Sequence, residues 1–189
     1  MTAIVTGGAA GIGLAVARGF FEQGARVVIV DVRNAQDAAR ALDASGTRVL
    51  GVTADVTSDD QVEQAVSQAV EVFGSVDILV NNAGIATSIP PRSFEEIGTD
   101  EWLRVYDVNV IGIFRFCRAV FRHMKAAGGG RIVNIGSAAA FKGVPLLLHY
   151  VSSKGSGAGD DAQPCQGTGR AQNPGQLRGA WVHHKSFGP

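Results

Sequence analysis

The chain has 189 residues, enough for one domain with a sizeable core, and 17 Lys+Arg balance 17 Asp+Glu to a formal net charge of zero. That balance leaves no basic stripe for nucleic acid, and no apolar run approaches the roughly 18 residues of a membrane span. Cys117 and Cys165 form neither a metal-ligand spacing nor a disulfide framework, so no metal site is expected. With no signal-like segment ahead of the first strand, the expected setting is cytoplasmic.

The first element is a short apolar strand, Ala3-Ile4-Val5, followed by the turn Thr6-Gly7-Gly8-Ala9-Ala10-Gly11-Ile12-Gly13. A helix follows, with Ile12, Val16 and Phe20 at helical spacing. Strand, glycine turn and helix in that order form the setting in which a dinucleotide pyrophosphate sits on a helix N-terminus. The glycines allow a tight turn, close backbone approach to phosphate and close helix–strand packing. Taken alone, the motif leaves an ordinary strand-to-helix turn as the alternative.

Arg26 to Asp31 is a continuous apolar run ending on an acid, which suits a parallel strand buried on both faces. Residues 34–44 read as a helix and 47–53 as a third strand. Thr57 or Ser58 caps a longer helix bearing Val62, Ala65, Val66, Ala69 and Phe73 on one face, and Gly74 ends it. Val76 to Val80 is the fourth strand and leads into Asn81-Asn82-Ala83-Gly84. One long helix is expected from Thr99 or Asp100 to about Ala127, followed by a fifth strand from Arg131 to Ile135 and by Gly136-Ser137. Tyr150 and Lys154 fall near the start of a further helix. Strands separated by helices imply right-handed crossovers, hence an α/β fold with a doubly wound parallel sheet over residues 1–154.

Asp31 follows Gly13 by 18 residues, at the end of the second strand. A carboxylate there accepts hydrogen bonds from ribose hydroxyls and repels a 2′-phosphate, so NAD is favoured over NADP. Arg33 is near enough to weaken that preference.

Together these motifs resemble the short-chain dehydrogenase/reductase family. The resemblance is carried by T-G-G-A-A-G-I-G, Asp55-Val56, N-N-A-G, Asn109, Ser137 and Tyr150-Val151-Ser152-Ser153-Lys154 in this order, and it covers residues 1–154. It implies a Rossmann-type fold and hydride transfer between a nicotinamide and an alcohol, ketone or aldehyde. The cofactor residues it implies are Thr6, Gly7, Gly11, Ile12, Gly13, Asp31, Asp55, Val56, Asn82, Ala83, Gly84, Tyr150 and Lys154, with Asn81 also lining the cleft. The catalytic residues it implies are Asn109, Ser137, Tyr150 and Lys154, with Asn109 supporting a water-linked proton relay. It also implies a homo-oligomer and a small-molecule alcohol or carbonyl substrate, with neither nucleic acid nor membrane as partner.

The chemistry of those residues can be argued on its own terms. Tyr150 and Lys154 are four apart and share a helix face. An ammonium beside a phenol favours phenolate, which can then take the alcohol proton, and in reduction the phenol returns it. Ser137 would hold the substrate oxygen and Lys154 the nicotinamide ribose. His149 is read as packing beside the site or facing solvent, rather than as a second acid–base group. Trp102, Phe114 and Phe116 are read as core or subunit contact, and Phe141, Val144 and Leu146 to Leu148 as a substrate wall or loop packing.

After Lys154 the composition changes. Residues 155–189 hold eight glycines and three prolines, with Leu177 and Val182 the only Leu, Ile or Val. Such a tail reads as disordered, and the family's strands six and seven are expected to be missing. Shifting the reading frame by one base lets positions 173–181 spell I-R-V-N-S-V-A-P-G, the family's sixth strand and following turn. The tail is therefore read as frameshifted and ended by a premature stop. An inactive or cofactor-binding-only truncated fragment is the alternative to an active enzyme.

Overall fold

The computed structural model describes residues 1–86 and 88–156, together with the backbone of 178–184. Six parallel strands form one sheet: β1 Thr2–Thr6, β2 Arg26–Asp31, β3 Val49–Thr53, β4 Ile78–Asn81, β5 Arg131–Ser137 and β6 Arg178–His184. Their spatial order is β3-β2-β1-β4-β5-β6, the doubly wound Rossmann-type arrangement. The order reverses between β1 and β4, and a ligand crevice is expected beyond the carboxyl ends of those strands.

Alternation along each strand sends side chains to both faces, and both faces are covered. One face packs Ile4, Val28, Val30, Leu79 and Ile132 against Val62, Val66 and Phe73 of α3 (Asp59–Phe73) and Phe116, Val120 and Met124 of α5 (Gly112–Ala126). The other packs Val5, Val27, Ile29 and Val80 against Ala17 of α1 (Gly11–Glu22) and Ala35 and Ala39 of α2 (Ala35–Leu42). Each large apolar side chain fully buried here contributes about 1.5–3 kcal/mol. Among the described residues no helix is long and apolar enough to cross a membrane.

Local signals explain most boundaries. Ser58, rather than Thr57, caps α3 by accepting the Gln61 amide, whereas Thr57 turns back to bond Asp55. Gly74 ends α3 in the left-handed region at φ 79°. Ile12 departs from the expected apolar face of α1 and is 43% exposed, because Gly13 and Ala17 take the face against the sheet. Small residues there allow the helix to lie close to the strands.

The expected single helix from 99 to 127 is interrupted. α4 (Thr99–Tyr106) passes through a π-helical turn, Asp107–Ile111, before α5 begins. The Gly112 amide donates to the Asp107 carbonyl, the wider i→i+5 spacing of a π turn. Gly112 is needed at this junction, since a Cβ there would lie 2.8 Å from Cγ2 of Val56.

Beyond Ser137 come α6 (Ala139–Lys142) and α7 (Leu148–Gly155), which carries Tyr150 and Lys154. The expectation of a missing sixth strand is corrected for 178–184: β6 pairs with β5 from Arg131↔Arg178 to Ser137↔His184. The free edge of β5 offers a row of backbone donors and acceptors, and laddering onto it requires backbone groups rather than an apolar period. No seventh strand occurs among the described residues. The remaining tail positions, and the disorder expected of them, lie outside the described residues.

Candidate active site

Thr6 and Asn82 hold the glycine turn onto the sheet. The Thr6 hydroxyl accepts the amides of Asn82 (3.0 Å) and Ala83 (3.1 Å), while Asn82 Nδ2 donates to the carbonyls of Thr6 and Gly7, both at 3.0 Å. A Cβ on Gly7 would lie 2.8 Å from Ala83 Cα, and one on Gly13 would overlap the Gly7 carbonyl oxygen. Two glycines thus allow strand, turn and helix to meet with almost no space between backbones. α1 begins at Gly11, directly after this turn, and the free amides of its first turn suit an anion.

That crevice is a cavity of about 620 Å³ at the switch between β1 and β4. Among its lining are the expected Gly7, Asp31, Asp55, Val56, Asn82, Ala83 and Gly84. Thr6 lies beneath it, buried at 2% exposure, and Gly11, Ile12 and Gly13 form the turn and helix start beside it. Asn81 does not line it. That residue is buried and donates to Asn134 Oδ1 at 2.8 Å, so it joins β4 to β5 instead.

Asp31 Oδ2 accepts the Ala9 amide at 3.1 Å and Oδ1 accepts the Arg33 amide at 3.3 Å. The carboxylate is therefore fixed at the mouth of the cavity, and each oxygen keeps acceptor capacity for a hydroxyl. The cavity and the turn fit a nicotinamide dinucleotide: Gly7 and the fixed Asp31 carboxylate line one cavity, next to a helix start whose free amides suit a pyrophosphate.

On the far side, the π turn presents Asn109, which is 1% exposed. Its Oδ1 accepts the Ile85 amide (2.9 Å), and its Nδ2 donates to the Ile85 carbonyl (3.1 Å) and to Ser153 Oγ (3.0 Å). The Ser153 hydroxyl donates to the carbonyl of Tyr150 at 2.8 Å. Asn109 thus connects the loop after β4 to the helix bearing Tyr150. Replacing Asn109 with Ala strands these buried partners and should lower stability by about 1–3 kcal/mol, measurable by urea unfolding.

Lys154 is buried, and its Nζ donates to the Ile135 carbonyl at 3.0 Å. Loss of solvent lowers its pKa below the ordinary lysine value. Since the unfolded chain binds that proton more readily, the buried ammonium costs stability at neutral pH. The cost fades as pH rises from the folded toward the unfolded value. A Cβ on Gly84 would lie 3.6 Å from Lys154 Nζ and 3.1 Å from Asn109 Oδ1, which places both side chains at the Gly84 end of the cavity. Ser137 ends β5 and accepts the Ala139 amide at 3.2 Å. Ser137, Tyr150 and Lys154 are not among the residues lining the 620 Å³ cavity.

Sequence reasoning missed Ser153, whose only signal was its place beside Lys154, and Arg104 and Asp107. The last two line the cavity from the α4–π junction. Arg115 holds Asp107 at 2.7 Å and also meets Asp59, tying that junction to the head of α3.

Comparison with known proteins identifies the family. The short chain dehydrogenase family matches residues 1–159. The chain is 43% identical over 153 residues to cis-4-hydroxycyclohexanecarboxylate dehydrogenase of Sinomonas cyclohexanicum, covering 80% of this chain and 61% of that protein. It is 40% identical over 157 residues to 2-(R)-hydroxypropyl-CoM dehydrogenase of Xanthobacter autotrophicus, covering 82% and 63%. The crystal structure of a short-chain dehydrogenase/reductase from Brucella melitensis superposes with a TM-score of 0.72 at 32% identity, covering 82% of this chain and 64% of that one. The chain spans about three fifths of the length of the curated relatives it matches. By the extent of these matches, the chain belongs to the short-chain dehydrogenase family.

Proposed function

We propose that the protein is an NAD(H)-dependent oxidoreductase that interconverts a small alcohol and its ketone or aldehyde, with Tyr150 as acid and base. The observation that carries this reading is the convergence at one crevice. Gly7, Asp31 and Asn82 line it, and Lys154, one helical turn after Tyr150, is buried against its Gly84 end. The nicotinamide ring supplies the hydride acceptor or donor when bound. In oxidation, the Tyr150 phenolate takes the alcohol's hydroxyl proton as the carbinol C–H gives up hydride, so the alcohol loses two electrons and becomes the carbonyl. Ser137 Oγ steadies the substrate oxygen, and the Lys154 ammonium favours the phenolate.

The choice of NAD over NADP rests on Asp31. Asp31→Ala should weaken NADH binding by about 1–3 kcal/mol, the scale of one or two hydrogen bonds to a charged group. The same change should leave NADPH binding equal or tighter. Fluorescence titration of both cofactors measures this, and equal affinities in the unaltered protein would contradict the assignment.

A second reading is favoured by one observation. The cavity is walled on its Asp31 side, whereas Ser137 and Tyr150 do not line it. A chain that binds NADH yet turns over no substrate in a panel of secondary alcohols and ketones would be a cofactor-binding fragment.

A further inference from the structure

His149 immediately precedes Tyr150 and is completely buried. Its Nε2 lies 3.2 Å from Glu101 Oε1, and among the described residues its Nδ1 has no hydrogen-bond partner. The ring packs beside Trp102, with centroids 6.2 Å apart. Glu101 holds a second partner through its other oxygen, Arg92 Nε at 3.4 Å. The Arg92 amide in turn donates to the Leu146 carbonyl at 2.9 Å. Leu146 sits at φ 64°, a left-handed conformation costly for a bulky side chain. These contacts close a ring: Arg92 to Leu146, along the chain to His149, across to Glu101, and back to Arg92.

We propose that this ring, with His149 and Glu101 at its centre, is a positioning device for Tyr150. The inference rests on the oxidoreductase reading above. An orphaned nitrogen on a fully buried imidazole costs free energy, and so does a bulky residue held at positive φ. Packing alone could be achieved more cheaply by an apolar ring. The imidazole adds direction: its single bond to Glu101 fixes the rotation of the first turn of α7, where the phenol of the next residue is set. Because Glu101 sits on α4 and is held by Arg92 of the loop after β4, the Tyr150 backbone is referenced to the loop that carries Gly84 and to the helix that runs into the π turn of Asn109. His149 is not itself a catalytic residue, since its one engaged nitrogen faces Glu101.

The test uses the only two tyrosines of the chain, Tyr106 and Tyr150. Ring-carbon labelling gives two side-chain signals, and Tyr150→Phe identifies which belongs to Tyr150. In the unaltered protein NAD should displace the Tyr150 signal. In His149→Phe, which keeps a ring but loses the bond, that displacement should fall by at least half while NAD affinity stays within twofold. Turnover should fall at least tenfold with KM little changed. His149→Gln, whose amide can still donate to Glu101, should recover most of both. A folded His149→Phe protein with full NAD response and full turnover would overturn the proposal. So would failure of His149→Gln to exceed His149→Phe, because packing alone would then be at work. An unaltered protein that binds no NAD would overturn the oxidoreductase reading itself, and this inference with it.

Discussion

Tyr150→Phe should lower turnover by about a hundredfold to ten-thousandfold, the range in which a positioned acid–base group contributes. NADH affinity should change by less than twofold. Among the described residues the Tyr150 hydroxyl has no hydrogen-bond partner, so removing it strands no buried group. The helix holds its place through backbone and neighbours: the Tyr150 carbonyl accepts from Ser153, and Ser152 bonds Tyr106 at 2.6 Å. The melting temperature should therefore stay near that of the unaltered protein, which separates loss of chemistry from loss of fold. Steady-state kinetics and a thermal melt on the same preparation make the comparison. Turnover retained at the original rate would remove Tyr150 from the mechanism.

The second large effect falls on the fold and the cofactor together. Gly13→Ala introduces a Cβ into the Gly7 carbonyl oxygen, with the Gly7 carbon only 2.8 Å away. The Asn82 side-chain amide lies 2.5 Å away as well, and the turn is fastened to the loop after β4 by four hydrogen bonds linking Thr6 and Gly7 to Asn82 and Ala83. It cannot move aside cheaply. The cost should reach about 3 kcal/mol, the upper end of ordinary overpacking, and lower the melting temperature by roughly 6–12 °C. NADH binding should be lost even at temperatures where the variant is folded, because the turn must open where phosphate would approach. Gly19→Ala is the control, since its Cβ meets nothing within 4 Å. It should bind NADH normally.

The sequence made the parallel sheet legible because buried strands such as Arg26–Asp31 read as unbroken apolar runs between helical periods. The glycine turn was equally plain, since each glycine answers a local steric demand. The π turn at Asp107–Ile111 was not visible: its residues keep helical spacing, and the wider turn follows from Asn109 and Gly112 packing against Ile85 and Val56. Asn81 and Asn82 were indistinguishable in the motif. Only strand alternation, with Asn81 turned to Asn134 and Asn82 to the glycine turn, separates the amide that joins β4 to β5 from the one that lines the cavity. His149 was read as packing beside the site or facing solvent, and it is completely buried. Its bond to Glu101 depends on the meeting of α4 and α7, 48 residues apart in sequence, which no local pattern encodes. The β6 strand escaped notice because pairing with a free sheet edge leaves little trace in composition.

The most direct measurement is cofactor reduction by the unaltered protein. Purified chain is mixed with NAD or NADP and a panel of small secondary alcohols, and the near-ultraviolet absorbance of the reduced nicotinamide is followed. The account predicts reduction of NAD with at least one alcohol, slower reduction of NADP, and loss of both signals in Tyr150→Phe. A cooperatively melting protein that neither binds nor reduces either cofactor would contradict it.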